Sequence, residues 1–373
     1  MIYLDYAANT PVNKEVADTF YQMCMDYIGN PNSPHSLGVA ASERMLESTV
    51  NIAGLLGVKE QEIIYTSGAS ESNNMAIKGI AGSYKRYGKH IITTYLEHAS
   101  VTGPFTALQN EGFEVDFVNI EKNGQIDLHH LEELIRDDTI LVSVGLVDSE
   151  IGTIQPIAEI NKLIKQRKHS FLHVDATQAV GKIPVNFQEA DLITFSAHKF
   201  YGVNGSGILI KKENVMLEPL IHGGLSTTSF RSGTPALALA ASTEKALSLA
   251  IESLEERLTY VKGLNQLLRE KLSVSKQIVI NSPKEASPYI LNISVKGVNT
   301  NKLQAELDQK EIYIATKSAC CAPNTVSKPV YAMTKDRKLA LATVRISLSH
   351  LTTKTELEEF LTIFLEQLQI SQN

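Results

Sequence analysis

Seven short apolar runs between residues 62 and 210 constrain the fold more than any other feature of this chain. They are Glu62-Ile63-Ile64-Tyr65, His90-Ile91-Ile92-Thr93-Thr94, Phe113-Glu114-Val115-Asp116-Phe117-Val118, Thr139-Ile140-Leu141-Val142-Ser143-Val144, Phe171-Leu172-His173-Val174, Leu192-Ile193-Thr194-Phe195 and Gly207-Ile208-Leu209-Ile210. Most are separated by enough chain for a crossover helix, the connection that parallel strands require. The pattern predicts an α/β fold with a mainly parallel seven-stranded sheet covered on both faces, and ligands of such sheets bind at the carboxyl ends of the strands.

The flanking segments read differently. Asn9-Thr10-Pro11 is a turn signal before a helical pattern that begins near Glu15, and 29–36 is a loop rich in Gly, Pro, Asn and Ser. An amphipathic helix from Ser42 to Leu56 closes at Gly57. After Thr234-Pro235, residues 236–273 read as one long helix broken near Gly263. Strands are then expected near 277–280, 289–295, 312–316 and 343–347, with helices at 301–310 and from Lys354, a smaller α+β unit. With 373 residues the chain exceeds one ordinary core. The expected division is a large domain of 15–255 and a small one of 1–14 with 256–373.

Composition excludes several functions. A net charge of −6 offers no basic field for nucleic acid or anionic lipid. No apolar run approaches a membrane span, and Asp5 stands where a signal peptide would be basic, so a cytoplasmic protein is expected. The cysteines Cys24, Cys320 and Cys321 make neither a disulfide framework nor a C-x-x-C zinc pair, and no metal site is expected.

Three strand ends carry complementary polar groups. Ser196-Ala197-His198-Lys199 follows a buried run, where a lysine is partly desolvated and its amine becomes available as a nucleophile. Thr66-Ser67-Gly68-Ala69-Ser70 is a small-residue turn opening a helix, whose N–H groups and dipole can cup a phosphate. Asp175 ends the run from Phe171 and is read either as a helix cap or as the partner of a buried cation. Together the lysine, the acid and the cup match pyridoxal 5′-phosphate, which needs an amine for its aldehyde, a carboxylate for its ring nitrogen and a helix N-terminus for its phosphate.

With these residues the chain resembles the NifS/IscS-type cysteine desulfurases, class V aminotransferases of the pyridoxal-phosphate-dependent transferase type I fold. The runs that carry the resemblance include Tyr3-Leu4-Asp5-Tyr6-Ala7-Ala8, Gly29-Asn30-Pro31, Thr66-Ser67-Gly68-Ala69, His173-Val174-Asp175-Ala176-Thr177-Gln178, Ser196-Ala197-His198-Lys199, Arg231-Ser232-Gly233-Thr234, Ser318-Ala319-Cys320 and Val344-Arg345-Ile346-Ser347. The resemblance implies that Lys199 bonds the cofactor and moves protons. It implies that Asp175 pairs with the ring nitrogen, Gln178 with the ring oxygen, and that His98 stacks on the ring and acts in acid/base steps. Ala69, Ser70, Ser196 and His198 would hold the phosphate, with Thr234 reaching in from the second subunit of a homodimer. Arg345 would clamp the substrate carboxylate.

Cys320 would attack the sulfur of the substrate L-cysteine, leaving a persulfide and releasing alanine, and would pass the sulfur to an acceptor protein of iron–sulfur cluster assembly or tRNA thiolation. Cys321 is read as a small apolar residue or a secondary relay. Residues 318–335 resemble the long mobile loop of one subgroup. Where the family shows Asn-Asn-Glu this chain has Asp148-Ser149-Glu150, so Ser149 replaces an amide expected to touch cofactor and substrate. A selenocysteine lyase or other β-eliminating relative, and a scaffold that binds the cofactor without turnover, are the competing readings.

Overall fold

The computed structural model describes residues 1–224, 226–317 and 325–370. Its strands, in chain order, are β1 (Ile2–Tyr3), β2 (Ile63–Thr66), β3 (His90–Thr94), β4 (Glu114–Val118), β5 (Thr139–Gly145), β6 (Phe171–Asp175), β7 (Leu192–Ser196), β8 (Gly207–Lys211), β9 (Ile278–Ile280), β10 (Ile290–Val295), β11 (Ile312–Tyr313) and β12 (Thr343–Ser347). The seven apolar runs form one sheet in the order β2-β8-β7-β6-β5-β3-β4. The five strands from β7 to β4 are parallel, while β8 runs antiparallel to both its neighbours. Two antiparallel pairings leave β2 pointing the same way as the other five. The carboxyl ends of β2, β6 and β7 therefore lie along one edge, with Gly207 of β8 set between Thr66 and Ser196.

Side chains alternate across this sheet, and both faces are buried, which is why its strands read as continuous apolar runs. Ile92, Val142, Leu172, Ile193 and Ile208 belong to one layer of the core. Their neighbours Ile91, Leu141, Phe171, Leu192 and Leu209 belong to the opposite layer. A further core joins the sheet β12-β10-β9 to the helices Leu254–Leu272 and Lys354–Ile370 through Leu268, Leu291, Ile346, Phe360 and Phe364. Ile2 and Leu4 are buried in this core, with β1 parallel to β11.

Three expectations need correction. The long helix after Pro235 is two helices, Leu237–Glu252 and Leu254–Leu272, and the break falls at Ser253 rather than Gly263. Ser253 bends the chain by donating its hydroxyl to the Leu249 carbonyl. Gly263 continues the second helix on an open face where a Cβ would touch nothing. The helix expected from Ser42 begins at Ser36, because the His35 ring accepts from Gly38 N–H and caps it. Of the segment 318–335 expected as a long loop, 318–324 lie outside the described residues, and Lys328–Thr334 is a helix rather than loop, with Ser327 as its cap and Pro329 in its first turn. Val330 of this helix packs with Ile151 and Ala340.

Candidate active site

A cavity of about 570 Å³ opens at the carboxyl ends of the large sheet. Ala69, Ser70, His98, Ser149, Asp175, Gln178, Ser196, His198 and Lys199 all line it. Of the other expected residues, Arg345 is buried outside that lining, and Thr234 is exposed in a surface groove with Phe20 and Tyr27. Cys320 and Cys321 lie outside the described residues.

One end of the cavity is the turn from β2 into the helix Ala69–Tyr84. Gly68 caps this helix at φ +151°, a conformation that side chains disfavour. Gly207 presses so closely on it that an added Cβ would lie 2.5 Å from Gly68 Cα. The helix start faces the cavity with its N–H groups and the positive end of its dipole. Ser196 Oγ donates to Ser206 O and meets His198 Nδ1 at 2.8 Å. Burial, with the charges of Lys199 and Lys182, lowers His198 to about 4, so the ring is neutral at physiological pH. Burial alone would raise Glu71, but hydrogen bonds from Arg231 Nε (2.9 Å) and Ser67 N–H (2.7 Å) outweigh it and hold this carboxyl below its ordinary value.

The floor is built around Asp175. Its Oδ2 accepts from Asn73 Nδ2 at 2.8 Å and its Oδ1 from Thr177 N–H at 3.0 Å. Asn73 is fully buried, donates also to Ser100 Oγ, and accepts from Thr194 Oγ1. Ser100 Oγ in turn meets His98 Nδ1 at 2.8 Å, so a continuous network joins His98 to Asp175. His173 lies below, between Ser143 and Thr194, and burial lowers it to about 4. Asp175 thus faces the cavity held by neutral donors.

Lys199 donates to the carbonyls of Ala7 (2.8 Å) and Ala8 (2.6 Å). Gln178 Nε2 donates to the same Ala7 carbonyl at 2.8 Å, while its Oε1 accepts from Lys182 Nζ at 2.8 Å. Burial, then the charges of Lys199 and Arg345, lowers Lys182 to about 7.

The facing wall is less complete. Arg345 pairs with Asp5 (Nη2 to Oδ1, 2.7 Å) and donates from Nη1 to Ser149 O at 2.9 Å. Its buried Nε has no hydrogen-bond partner among the described residues, and neither has the buried Oδ2 of Asp148. The other oxygen of Asp148 caps the N–H groups of Glu150 and Ile151. Burial and the nearby Glu150 push Asp148 up to about 7. Glu150 accepts from Ser327 Oγ at 2.6 Å, tying the wall to the helix that follows residue 324. Glu97 lines the cavity and is pushed up to about 8 by burial, against hydrogen bonds from Thr94 and Gly145 and with repulsion from Asp175 and Asp148.

Asn73, Glu97 and Lys182 carry this geometry and were not singled out from the sequence. A signal for Asn73 existed: it is a polar residue on the face of the helix that also buries Ala76, Ile77 and Ile80. For Lys182 it was a lysine soon after a strand-end acid, inside an apolar stretch.

The donor set fits pyridoxal 5′-phosphate. A carboxylate held only by neutral donors suits a ring cation, the glycine-walled helix start suits a phosphate, and the Lys199 amine suits an aldehyde. Comparison with known proteins agrees. Residues 2–360 match the family described as aminotransferase class-V. A protein of Neisseria meningitidis serogroup C named cysteine desulfurase IscS is 38% identical over 366 residues, covering 96% of this chain and 89% of its own. A solved structure of a NifS-like protein superposes with a TM-score of 0.93 at 34% identity, covering 99% of both chains. A solved structure titled SspA in complex with cysteine gives a TM-score of 0.82 at 30% identity, covering 95% of this chain and 100% of that one. The fold, the site and these relatives agree that this chain belongs to the class V aminotransferase family of pyridoxal-phosphate-dependent enzymes.

Proposed function

We propose that this protein is a cysteine desulfurase that takes sulfur from L-cysteine and releases L-alanine. The observation that carries the reading is the convergence of Lys199, Asp175 and the helix start at Ala69 on one cavity. The relatives named cysteine desulfurase and the SspA structure with bound cysteine support the substrate. When bound, pyridoxal 5′-phosphate supplies an aldehyde for an amine and an electron-withdrawing ring.

Residues 15–255 hold the cofactor, and the remainder, 1–14 with 256–373, brings Arg345 and Cys320. Ala69, Ser70, Ser196 and His198 hold the phosphate, Asp175 the ring nitrogen and Gln178 the ring oxygen. With the cofactor bound, Lys199 would move the proton at the substrate Cα, and His98, which lines the same cavity, would serve as acid or base beside the ring. Arg345 exchanges Asp5 for the substrate carboxylate, for which its planar fork is suited, and Ser149 lines the substrate side. The Cys320 thiolate attacks the substrate sulfur, the carbon–sulfur bond breaks, the sulfur stays on Cys320 as a persulfide, and the protonated three-carbon remainder leaves as alanine.

Thr234 completes the phosphate site of a second copy of the chain. Exposed apolar side chains at Tyr21, Met25 and Ile28, on and just after a helix beside the Thr234 groove, support a homodimer. The persulfide passes to an acceptor protein, an iron–sulfur scaffold or a tRNA-thiolating enzyme, in the cytoplasm. Among the described residues no helix is long and apolar enough to cross a membrane.

The test measures alanine and protein-bound persulfide from L-cysteine in the parent and in Cys320→Ala. Alanine with persulfide in the parent, and neither in the variant, is expected. Persulfide transfer undiminished in the variant removes Cys320 from the reaction, and turnover of selenocysteine alone points to the lyase.

A further inference from the structure

We propose that Lys182 is a positioning residue for the cofactor: through Gln178 it fixes which face of that amide meets the ring oxygen, and its charge tunes the bond made by Lys199. This rests on the cofactor reading above and goes beyond it, because Lys182 is not among the residues that line the cavity and acts through Gln178.

Only 5% of Lys182 is exposed. A buried amine whose one hydrogen-bond partner among the described residues is a neutral amide is costly to charge, and an apolar side chain of similar volume would fill the space without that cost. Its Nζ donates to Gln178 Oε1 at 2.8 Å. With that oxygen occupied, the amide must present its NH2 group on the other side, where one N–H reaches Ala7 O. Flipping the amide would set its oxygen against a carbonyl and its NH2 against an ammonium, losing both bonds at once. The orientation leaves the second N–H of Gln178 for an acceptor in the cavity, as a ring oxygen requires.

The local fold is shaped for this contact. Lys182 returns beneath Gln178 through a turn in which Lys182 N–H bonds Ala179 O, and Gly181 sits at φ +73°. A Cβ on Gly181 would lie 2.8 Å from the Cβ of Phe200, the residue after Lys199. The turn and the lysine stretch are therefore packed as one piece.

Electrostatics gives the second half of the role. Lys182 Nζ holds Gln178 Oε1, while Gln178 Nε2 and Lys199 Nζ share the Ala7 carbonyl, so one amide and one carbonyl link the two amines, and the charge of Lys199 acts on Lys182. Two cations linked in this way, one buried and one half-buried, each make the other easier to deprotonate. A positive charge at Lys182 thus favours the uncharged form of the Lys199–cofactor bond and the anionic form of the ring oxygen.

The experiment records the visible absorbance of the cofactor-loaded enzyme against pH, and the rate of cofactor loss on dilution, for the parent, Lys182→Met and Lys182→Gln. In Lys182→Met the spectral midpoint should rise by about one pH unit, and the cofactor should leave about tenfold faster. In Lys182→Gln, which donates a hydrogen bond without charge, the midpoint should rise similarly while cofactor loss stays near the parental rate. A midpoint equal to the parent's in both variants overturns the proposal, as does a lowered melting temperature with an unmoved midpoint. A parent with no visible band overturns the cofactor reading itself, and so separates the two failures.

Discussion

The two sides of the cavity are built on opposite plans. Along the sheet edge Asp175 is partnered by Asn73, Gln178 by Lys182 and Ser196 by His198, and the atom left without a partner among the described residues there is a neutral hydroxyl, Thr177 Oγ1. On the facing wall Arg345 Nε and Asp148 Oδ2 are buried without one among the described residues, and the Arg345 fork rests on Asp5. A satisfied network rigidifies, whereas a buried group left unpaired favours whatever ligand pairs with it. The difference separates a side prebuilt for a resident cofactor from a side left open for a substrate that must come and go.

Substitutions can break this contrast if it is wrong. Asp175→Ala on the rigid side should have the largest effect, lowering alanine production by about 10³-fold with an altered cofactor spectrum. An unchanged spectrum would deny the acid its place at the ring. Arg345→Lys on the open side should raise KM for cysteine about tenfold or more while the spectrum without substrate stays parental, since an ammonium cannot reproduce the guanidinium fork. A spectral change there would erase the distinction between the two sides. Asn73→Ala removes a donor from Asp175 and the acceptor of the Thr194 hydroxyl, so denaturant unfolding should show a loss of about 1–3 kcal/mol. A loss confined to activity, with parental stability, would mean that the network is not structural.

A pH-dependent effect concerns Glu97. Its folded value of about 8 lies above the ordinary 4.5, so its contribution to stability is present below 4.5 and is lost as pH rises through 8. Melting curves of Glu97→Gln without cofactor should therefore gain on the parent as pH rises from 5 to 8. A difference constant with pH would show that this carboxyl is not held protonated.

Much of the rigid side was legible in the sequence. Strand period and strand-end placement located Lys199, Asp175 and the Ser67 turn, because parallel strands bring their carboxyl ends to one edge whatever their order in the sheet. The residues that hold those groups were not legible. Asn73 sits on a helix face and Lys182 in a turn, and each acts through a neighbour that only the folded chain supplies. The helix break was assigned to Gly263 because propensity favours glycine, yet a side-chain hydrogen bond at Ser253 decided it. The open side depends on pairings such as Asp5 with Arg345, 340 positions apart, which no local pattern encodes.

That separation bears on how the protein is made. The Ala7 and Ala8 carbonyls that receive Lys199 belong to a segment held by its far end: Ser347 N–H bonds Leu4 O, and Ala7 N–H bonds Ser347 Oγ. The segment around Leu4 thus waits for the segment around Ser347, some 340 positions later, before it finds its place. Because such distant closure is slow and comes late in folding, a nascent chain can complete much of its large sheet while its reactive lysine still lacks these carbonyls. The amine's surroundings are therefore finished only after the strand Thr343–Ser347 has joined the fold.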